Sequence, residues 1–170
     1  MQAIAVVGTK KSGKTTTIEN LTRELTKRGY KVAVIKHINE PNLTIDTPGK
    51  DTWRYVQAGA KTIVATGPNQ TLTIENTCTQ ITALLKKCKG NDIVFIEGFK
   101  KTIARNQNIP KIAVTKNPVE AENTIETYYP IIAFTGPYNT AKIYQNTPYA
   151  NSQTNPKKLT NIIEKAVLKK

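Results

Sequence analysis

The chain has 170 residues, of which 38% are hydrophobic and 22% are charged, so it has the length and composition of a single globular domain with a sizeable core. No apolar run approaches the roughly 18 residues of a membrane helix, and the N-terminus has neither the basic segment nor the cleavage site of a secretory signal, which predicts a cytoplasmic protein. The net charge of +13 predicts affinity for anions, but the lysines are scattered and few aromatic residues lie among them, which disfavours nucleic acid and favours small phosphorylated ligands.

Short apolar, β-branched runs alternate with helical patterns along the chain, which is typical of an α/β fold with a mainly parallel sheet. Residues 3–7 predict a strand, and Ile18, Leu21 and Leu25 then share one face of a helix over 13–28 that Gly29 ends. The remaining predicted elements are a strand over 31–37, a short helix over 51–60, a β-hairpin with strands 62–66 and 71–75, a helix over 79–89, strands over 92–97, 111–115 and 131–135, and a closing amphipathic helix around 159–167.

A phosphate-binding loop is predicted directly after the first strand. Its residues are Gly8, Thr9, Lys10, Lys11, Ser12, Gly13, Lys14, Thr15 and Thr16. The spacing matches G-x-x-x-x-G-K-[ST] in full and lies between an apolar strand and an amphipathic helix, a context that disfavours a chance match. The glycines allow backbone N–H groups to surround phosphate oxygens, and the helix N-terminus adds partial positive charge.

In this motif the lysine, here Lys14, reaches the β- and γ-phosphates, and the hydroxyl of Thr15 takes a place on Mg²⁺. The sequence therefore predicts a Mg²⁺-dependent nucleoside-triphosphate-binding protein. The expected architecture is the three-layer P-loop NTPase fold, with helices on both faces of the sheet and residues 1–170 forming one domain.

An acidic residue from the end of another strand normally holds Mg²⁺ or one of its waters in P-loop proteins. Asp92 opens its predicted strand, so at roughly 3.3 Å per residue it would lie about 16 Å from the strand's carboxyl end. Ligands bind at the carboxyl ends of strands in open α/β sheets, where Glu97 closes the same strand. Glu97 is therefore the preferred metal-side residue, with a solvated strand-end carboxylate as the alternative.

Asp46 is a second candidate for the metal side. It begins an Asp-x-x-Gly segment that ends at Gly49, similar to the GTPase element in which the aspartate holds a magnesium-bound water and the glycine amide senses the γ-phosphate. A simple turn explains the same four residues equally well, so both interpretations stay open.

The base of the nucleotide is not determined by these patterns. GTPases commonly read guanine with Asn/Thr-Lys-x-Asp, and residues 115–118 begin that pattern but have Pro118 in place of the aspartate. Partitioning ATPases of the ParA and MinD type have a lysine at the position of Thr9, which disfavours that class. His37 is the only histidine and has no evident catalytic partner, which favours a structural role over acid–base chemistry.

Four segments carry a more specific resemblance. They are the loop 8–16, the pair Lys36-His37, the block from Asp46 through Pro48-Gly49-Lys50-Asp51-Thr52-x-Arg54 to Ala58-Gly59-Ala60, and Glu97-Gly98-Phe99-Lys100. Together they resemble the family of molybdopterin-guanine dinucleotide biosynthesis protein B, MobB. The resemblance covers about residues 1–116, and its last two blocks are far more specific than the phosphate loop, which all P-loop proteins share.

The resemblance implies a P-loop α/β domain, often dimeric, that binds GTP with Mg²⁺ and hydrolyses it slowly at most. It implies an accessory role in attaching guanine nucleotide to molybdopterin or in delivering the finished cofactor. The implied partners are molybdopterin, its guanine dinucleotide, the guanylyltransferase of the pathway and a second copy of the chain.

Carried over to this sequence, the resemblance assigns the phosphate loop, Asp46, Gly49 and Glu97 to the nucleotide or metal site. The basic residues of the two specific blocks are expected to meet phosphates of the dinucleotide; they are Lys50, Arg54, Lys100 and Lys101. Two alternatives remain, a P-loop small-molecule kinase and another NTP-dependent binding module. The kinase is disfavoured because such enzymes usually carry an arginine-rich lid, and no two arginines are close together in this sequence.

Overall fold

The computed structural model describes residues 1–40, 46–77, 79–141, 143–144 and 146–168. Its elements in chain order are β1 (Gln2–Val7), α1 (Lys14–Lys27), β2 (Val32–Lys36), α2 (Asp51–Gln57), β3 (Thr62–Thr66), β4 (Thr71–Glu75), α3 (Ile81–Lys87), β5 (Ile93–Glu97), α4 (Lys100–Ile103), β6 (Lys111–Val114), α5 (Pro118–Thr127), β7 (Ile131–Thr135) and α6 (Pro156–Val167). The chain divides into two units, residues 1–37 with 84–170 and residues 38–83. None of the helices in the described part of the chain is long and apolar enough to cross a membrane.

The first unit contains a five-stranded sheet with the spatial order β2-β5-β1-β6-β7. Every neighbouring pair is parallel, which confirms the predicted α/β fold with a mainly parallel sheet. Consecutive residues of β1 and β5 point to opposite faces of the sheet, and those on both faces are almost fully buried, including Ile4, Ala5, Phe95 and Ile96. Parallel strands covered on both faces consist of continuous apolar runs rather than alternating ones, as these two strands do.

Helix α1 covers one face of this sheet with the stripe that its sequence predicts. Ile18, Leu21 and Leu25 are buried in one cluster with apolar residues of β1 and β5. Gly29, at φ +86°, follows the helix, a left-handed conformation that glycine adopts without steric cost and that commonly ends helices. The apolar stripe therefore fixes where α1 lies, and residues 8–13 connect it to β1.

Helix α6 closes the same face beside α1. Asn155 caps it by accepting a hydrogen bond from the Lys158 N–H at 3.1 Å, and its buried residues include Leu159 and Ile163. Arg28 at the end of α1 reaches Glu164 of α6 at 2.6 Å. The closing helix was predicted from its apolar periodicity, and the structure confirms it with a start at Pro156.

The second unit contains the predicted hairpin with the predicted strand limits. Strands β3 and β4 are antiparallel and pair Ile63 with Ile74, and α2 contacts β3. The residues between the strands, 67–70, read Gly-Pro-Asn-Gln, a composition typical of a turn.

Two helices were not predicted, the short α4 and the longer α5. Helix α5 has a clear local cause, because Pro118 occupies its first turn and Asn117 accepts a hydrogen bond from the Glu120 N–H at 2.9 Å. An Asn cap followed by proline is a strong start signal. Pro118 thus has two meanings in the sequence, a departure from a base-binding motif and the first turn of a helix.

The predicted ends of several elements also shift by one to three residues. The strand predicted over 92–97 begins at Ile93, and the Asp92 carboxylate just before it accepts the Lys31 backbone N–H at 2.7 Å. This contact confirms that Asp92 lies at the amino end of the strand, opposite to Glu97.

Candidate nucleotide site

The phosphate loop joins β1 to α1, and two of its glycines have backbone conformations that other residues rarely adopt. Gly8 has φ +150°, and a Cβ there would lie 2.4 Å from the Val114 carbonyl oxygen of β6. Gly13 has φ +100° and forms the N-cap of α1. The Thr17 N–H donates to the Gly13 carbonyl at 2.9 Å, so the amides of the preceding turn have no intrahelical acceptor. The loop is therefore shaped as an anion cradle.

A cavity of about 290 Å³ lies at this loop. It is lined by Lys11, Ser12, Gly13, Lys14, Thr15, Thr16 and Glu97. Ser12 is almost fully buried, and its hydroxyl has no hydrogen-bond partner among the described residues. Free amides at a helix N-terminus together with hydroxyl groups form a donor set that suits phosphate oxygens.

The side chain of Lys14 folds back over the loop. Its ammonium group donates to the Thr9 carbonyl at 2.6 Å and to the Gly8 carbonyl at 3.3 Å. Burial lowers the pKa of Lys14 below its ordinary value, and the nearby Glu97 carboxylate opposes that shift. The ammonium group is therefore partly desolvated in this position. A bound anion would offset the free-energy cost of that desolvation.

Thr15 and Glu97 lie side by side, as the strand-end argument predicts. The Thr15 hydroxyl donates to a Glu97 carboxylate oxygen at 3.3 Å, and the Lys36 ammonium lies 3.9 Å from the same oxygen. Glu97 reaches this position because β5 pairs with β1 and sets Glu97 opposite Val6. Its side chain is only 13% exposed and lines the cavity.

The other predicted site residues of the sheet unit follow β5. Lys100 and Lys101 form the first turn of α4, and both are exposed. Phe99 precedes them with φ +54°, and its ring centroid lies 4.6 Å from that of His37. A Cβ on Gly98 would lie 2.7 Å from the Cβ of His37. This close approach supports the structural role expected for His37.

Asp46, Gly49, Lys50 and Arg54 belong to the second unit. Asp46 accepts a hydrogen bond from the Thr47 N–H at 2.8 Å, and Gly49 has φ +85° in the turn before α2. Lys50 is the N-cap residue of that helix, and Arg54 lies 3.8 Å from Asp51. Their assignment to the nucleotide, metal or dinucleotide remains a prediction from the sequence.

Glu120 is a site neighbour that the sequence reasoning missed. One of its carboxylate oxygens accepts from the Thr9 hydroxyl at 2.9 Å, and the other accepts from the Lys116 backbone N–H at 3.0 Å. The Lys116 ammonium lies 3.0 Å from the first oxygen. Burial favours a raised pKa for Glu120, but the hydrogen bonds from Lys116 and Thr9 outweigh burial and leave it below the ordinary value. The available signal was the Asn-Pro-x-Glu sequence that starts α5.

Comparison with known proteins places these features in one family. The sequence profile described as "MobB: Molybdopterin guanine dinucleotide synthesis protein B" matches residues 3–136, which include the whole loop, Glu97 and Glu120. The chain belongs to the MobB family. This confirms the resemblance drawn from the phosphate loop and the two specific blocks.

Two curated MobB relatives illustrate the match. The chain is 33% identical over 113 residues to the "Molybdopterin-guanine dinucleotide biosynthesis adapter protein" of Haemophilus influenzae. The matched segment covers 64% of this chain and 60% of that protein. A protein of Methanocaldococcus jannaschii, also named as an adapter of this biosynthesis, is 39% identical over 118 residues, or 69% of this chain and 48% of the relative. The match therefore spans about half to three fifths of these relatives.

Solved MobB structures share the fold. The structure titled "The Crystal structure of Bacillus subtilis MobB" superposes with a TM-score of 0.79 at 22% identity and covers 100% of both chains. A MobB homologue from Bacillus stearothermophilus gives a TM-score of 0.67 at 18% identity, covering 97% of each chain. The fold thus extends beyond the matched residues 3–136 and includes the region of α6.

Proposed function

We propose that the chain binds GTP together with Mg²⁺ and serves as an adapter protein in the biosynthesis of molybdopterin guanine dinucleotide. Membership of the MobB family supports the pathway, and the name of the H. influenzae relative supports the adapter role. The observation that carries the nucleotide part is the contact between Thr15 and Glu97 beside the phosphate loop. It brings together two oxygen ligands of the kind that Mg²⁺ takes from proteins.

The position of Lys14 supports binding of the triphosphate. Its present acceptors are neutral carbonyl groups of Thr9 and Gly8, and a charge-assisted bond to phosphate is roughly twice as strong as a neutral one. A phosphate would also offset the desolvation that lowers the pKa of Lys14. We therefore expect Lys14 to exchange these carbonyls for the β- and γ-phosphates when nucleotide binds.

Thr15 and Glu97 would hold the ion or its waters. Mg²⁺ commonly keeps several waters and binds one or two protein groups in addition to substrate phosphates. The bound ion would neutralise charge on the phosphates and so support slow hydrolysis. The Thr15–Glu97 hydrogen bond of 3.3 Å is longer than the usual 2.5–3.0 Å between oxygens, so little energy is lost when both groups turn to a cation.

Nucleotide titrations test the binding half of the proposal. We expect GTP to bind more tightly than ATP and GDP, and its affinity to fall when Mg²⁺ is removed. Glu97→Gln should lose most of the Mg²⁺ dependence, whereas Glu19→Gln, a change at an exposed residue of α1, should behave as the wild type. A clear preference for ATP would overturn the assignment of GTP.

An adapter acts by binding partners. We propose that the chain binds the guanylyltransferase of the pathway, molybdopterin or its guanine dinucleotide, and a second copy of itself. Purified guanylyltransferase should be retained by the immobilised protein in the presence of Mg²⁺ and GTP and less so with GDP. Lys14→Ala should lose this difference. Equal retention under both conditions would contradict control of docking by the nucleotide.

A further inference from the structure

The loop between β6 and α5 lies against the beginning of the phosphate loop. A Cβ on Gly8 would clash with the Val114 carbonyl at the end of β6, and the Thr9 hydroxyl donates to Glu120 in the first turn of α5. Strand β6 pairs with β1 and sets Val7 opposite Ala113. The two segments therefore pack together at the carboxyl edge of the sheet, and we call this region the β6–α5 corner. Thr9 and Glu120, which meet there, are 111 positions apart in the sequence.

Within this corner, Glu120 fixes the position of Lys116. The carboxylate accepts from both the backbone N–H and the ammonium group of Lys116, each at 3.0 Å, and its own side chain is only 14% exposed. Asn117 caps the Glu120 N–H, so the backbone that carries the carboxylate is held as well. The Lys116 side chain is 39% exposed, so part of it is accessible to a ligand.

The placement of the metal-side pair indicates where the rest of a nucleotide lies. Glu97 ends β5 on one side of β1 and contacts Thr15 of α1, whereas β6 and β7 lie on the other side of β1. A terminal phosphate bound next to the metal-side pair would direct the nucleoside away from it, towards the carboxyl ends of β6 and β7, the sheet edge at which ligands bind in open α/β folds. The loops at these two ends are joined, because the Tyr138 N–H donates to the Thr115 carbonyl at 3.3 Å.

We propose that Glu120 is a positioning residue for the nucleoside half of the ligand and acts by holding the Lys116 side chain along the base and ribose. This inference rests on the proposed nucleotide function. A lysine stem can cover an apolar ring while its charged end stays solvated or paired, and its ammonium group adds attraction to an aromatic face. Without Glu120 the long side chain of Lys116 would regain rotamer freedom, which binding would have to remove again.

The test separates the nucleoside from the phosphates. Affinities of Glu120→Gln for Mg²⁺-GTP, Mg²⁺-GDP and Mg²⁺-tripolyphosphate are measured by calorimetry, with Glu122→Gln, an exposed position on the same helix, as the matched control. We expect Glu120→Gln to bind GTP and GDP about five- to tenfold more weakly, close to the cost of immobilising one long side chain on binding. Its affinity for tripolyphosphate should stay within about twofold of the wild type.

Lys116→Ala removes the stem together with the ammonium group at a partly exposed side chain, so it provides a second variant and the test does not depend on the folding of Glu120→Gln. It should lose at least as much GTP affinity as Glu120→Gln with no change for tripolyphosphate, and the double variant should lose no more than Lys116→Ala alone. Equal losses for GTP and tripolyphosphate would mean that Glu120 acts through Thr9 and the loop, and this would overturn the inference, as would unchanged affinities. Failure of the wild type to bind Mg²⁺-GTP would instead overturn the proposed function, and this inference with it.

Discussion

The Thr15 hydroxyl lies 3.3 Å from a carboxylate oxygen of Glu97, although the two residues are 82 positions apart in the sequence. The parallel pairing of β1 and β5 brings them together, because it sets Val6 opposite Glu97 and so aligns the carboxyl ends of both strands. A hydroxyl at the start of a helix and a carboxylate at the end of a neighbouring strand thus share one side of the cavity. The Glu97 carboxylate is therefore the negative charge of this site that a substitution can remove while keeping the contact with Thr15.

Replacing Glu97 by Gln should weaken binding of Mg²⁺-GTP by about tenfold and leave metal-free binding within about twofold. The reason is that the amide keeps the shape and the acceptor for Thr15 but loses the charge that attracts the cation, and each 1.4 kcal/mol corresponds to a factor of ten. Calorimetric titrations with and without Mg²⁺ measure both quantities. A similar loss in the absence of Mg²⁺ would show that Glu97 shapes the loop rather than serving the ion.

Replacing Gly8 by Ala should destabilise the protein by about 3 kcal/mol or more, because a residue with a Cβ faces both a strained backbone and a clash. The new Cβ would lie 2.4 Å from the Val114 carbonyl. Gly29→Ala is the matched control, since Gly29 also has positive φ but has no atom within 4 Å of the added Cβ. It should cost only about 1–2 kcal/mol from the left-handed conformation.

Urea unfolding of the two glycine variants compares their costs. The difference in unfolding free energy between Gly8→Ala and Gly29→Ala reports the clash together with the difference in backbone strain between φ +150° and φ +86°, and Gly8→Ala should also lose GTP affinity because the loop has to move away from β6. Equal destabilisation of the two variants would contradict the close packing of Gly8 on Val114.

The sequence alone was sufficient for the features that depend on local patterns. The phosphate loop, the hairpin and the α1 stripe of Ile18, Leu21 and Leu25 each follow from residue types at fixed spacing. Glu97 required one further rule, that ligands meet the carboxyl ends of parallel strands. All of these depend on residue spacing or on the alternation of strand and helix patterns, from which parallel strands are inferred, and a single sequence displays both.

Glu120 could not be found in the same way. Its role depends on β6 lying beside β1, a neighbour relation that skips four intervening strands in the chain. The sequence does contain the start signal of α5, but Pro118 also occupies the aspartate position of a base-binding motif, and that pattern hides the helix start. Local capping chemistry would have placed Glu120 in a first turn, and only the sheet order brings that turn to Thr9.

The buried Lys111 should make stability depend on pH. Burial lowers its pKa from 10.5 to about 8, and the ammonium group donates to the Asn106 and Tyr129 carbonyls. Between about pH 8 and 10.5 the unfolded chain binds more protons at this side chain than the folded one, so unfolding free energy rises with pH across this window. Below pH 8 both states are protonated, and the folded state carries the cost of the buried charge.

Lys111→Met isolates this contribution. The difference in unfolding free energy between wild type and Lys111→Met should rise in favour of the wild type between pH 8 and 10.5, by at most about 3 kcal/mol. Denaturant unfolding at a series of pH values measures the difference, and the other lysines cancel because both proteins contain them. A difference that is independent of pH would show that Lys111 has the same pKa in both states.

Two asparagine caps allow the β6–α5 corner to be tested against a matched site. Asn117 accepts from the Glu120 N–H at the start of α5, and Asn155 accepts from the Lys158 N–H at the start of α6, each with a proline at the beginning of the helix. Asn117→Ala and Asn155→Ala should therefore each reduce the unfolding free energy by about 1 kcal/mol.

Only Asn117→Ala should also change nucleotide binding, because its cap holds the backbone of the residue that contacts Thr9 and Lys116. We expect a loss of GTP affinity of about two- to fivefold for Asn117→Ala and no change for Asn155→Ala, with the two variants compared at equal stability. If both variants bind GTP as the wild type does, the α5 cap contributes only to folding, since a carboxylate that tolerates a loosened backbone does not need the cap to reach Lys116.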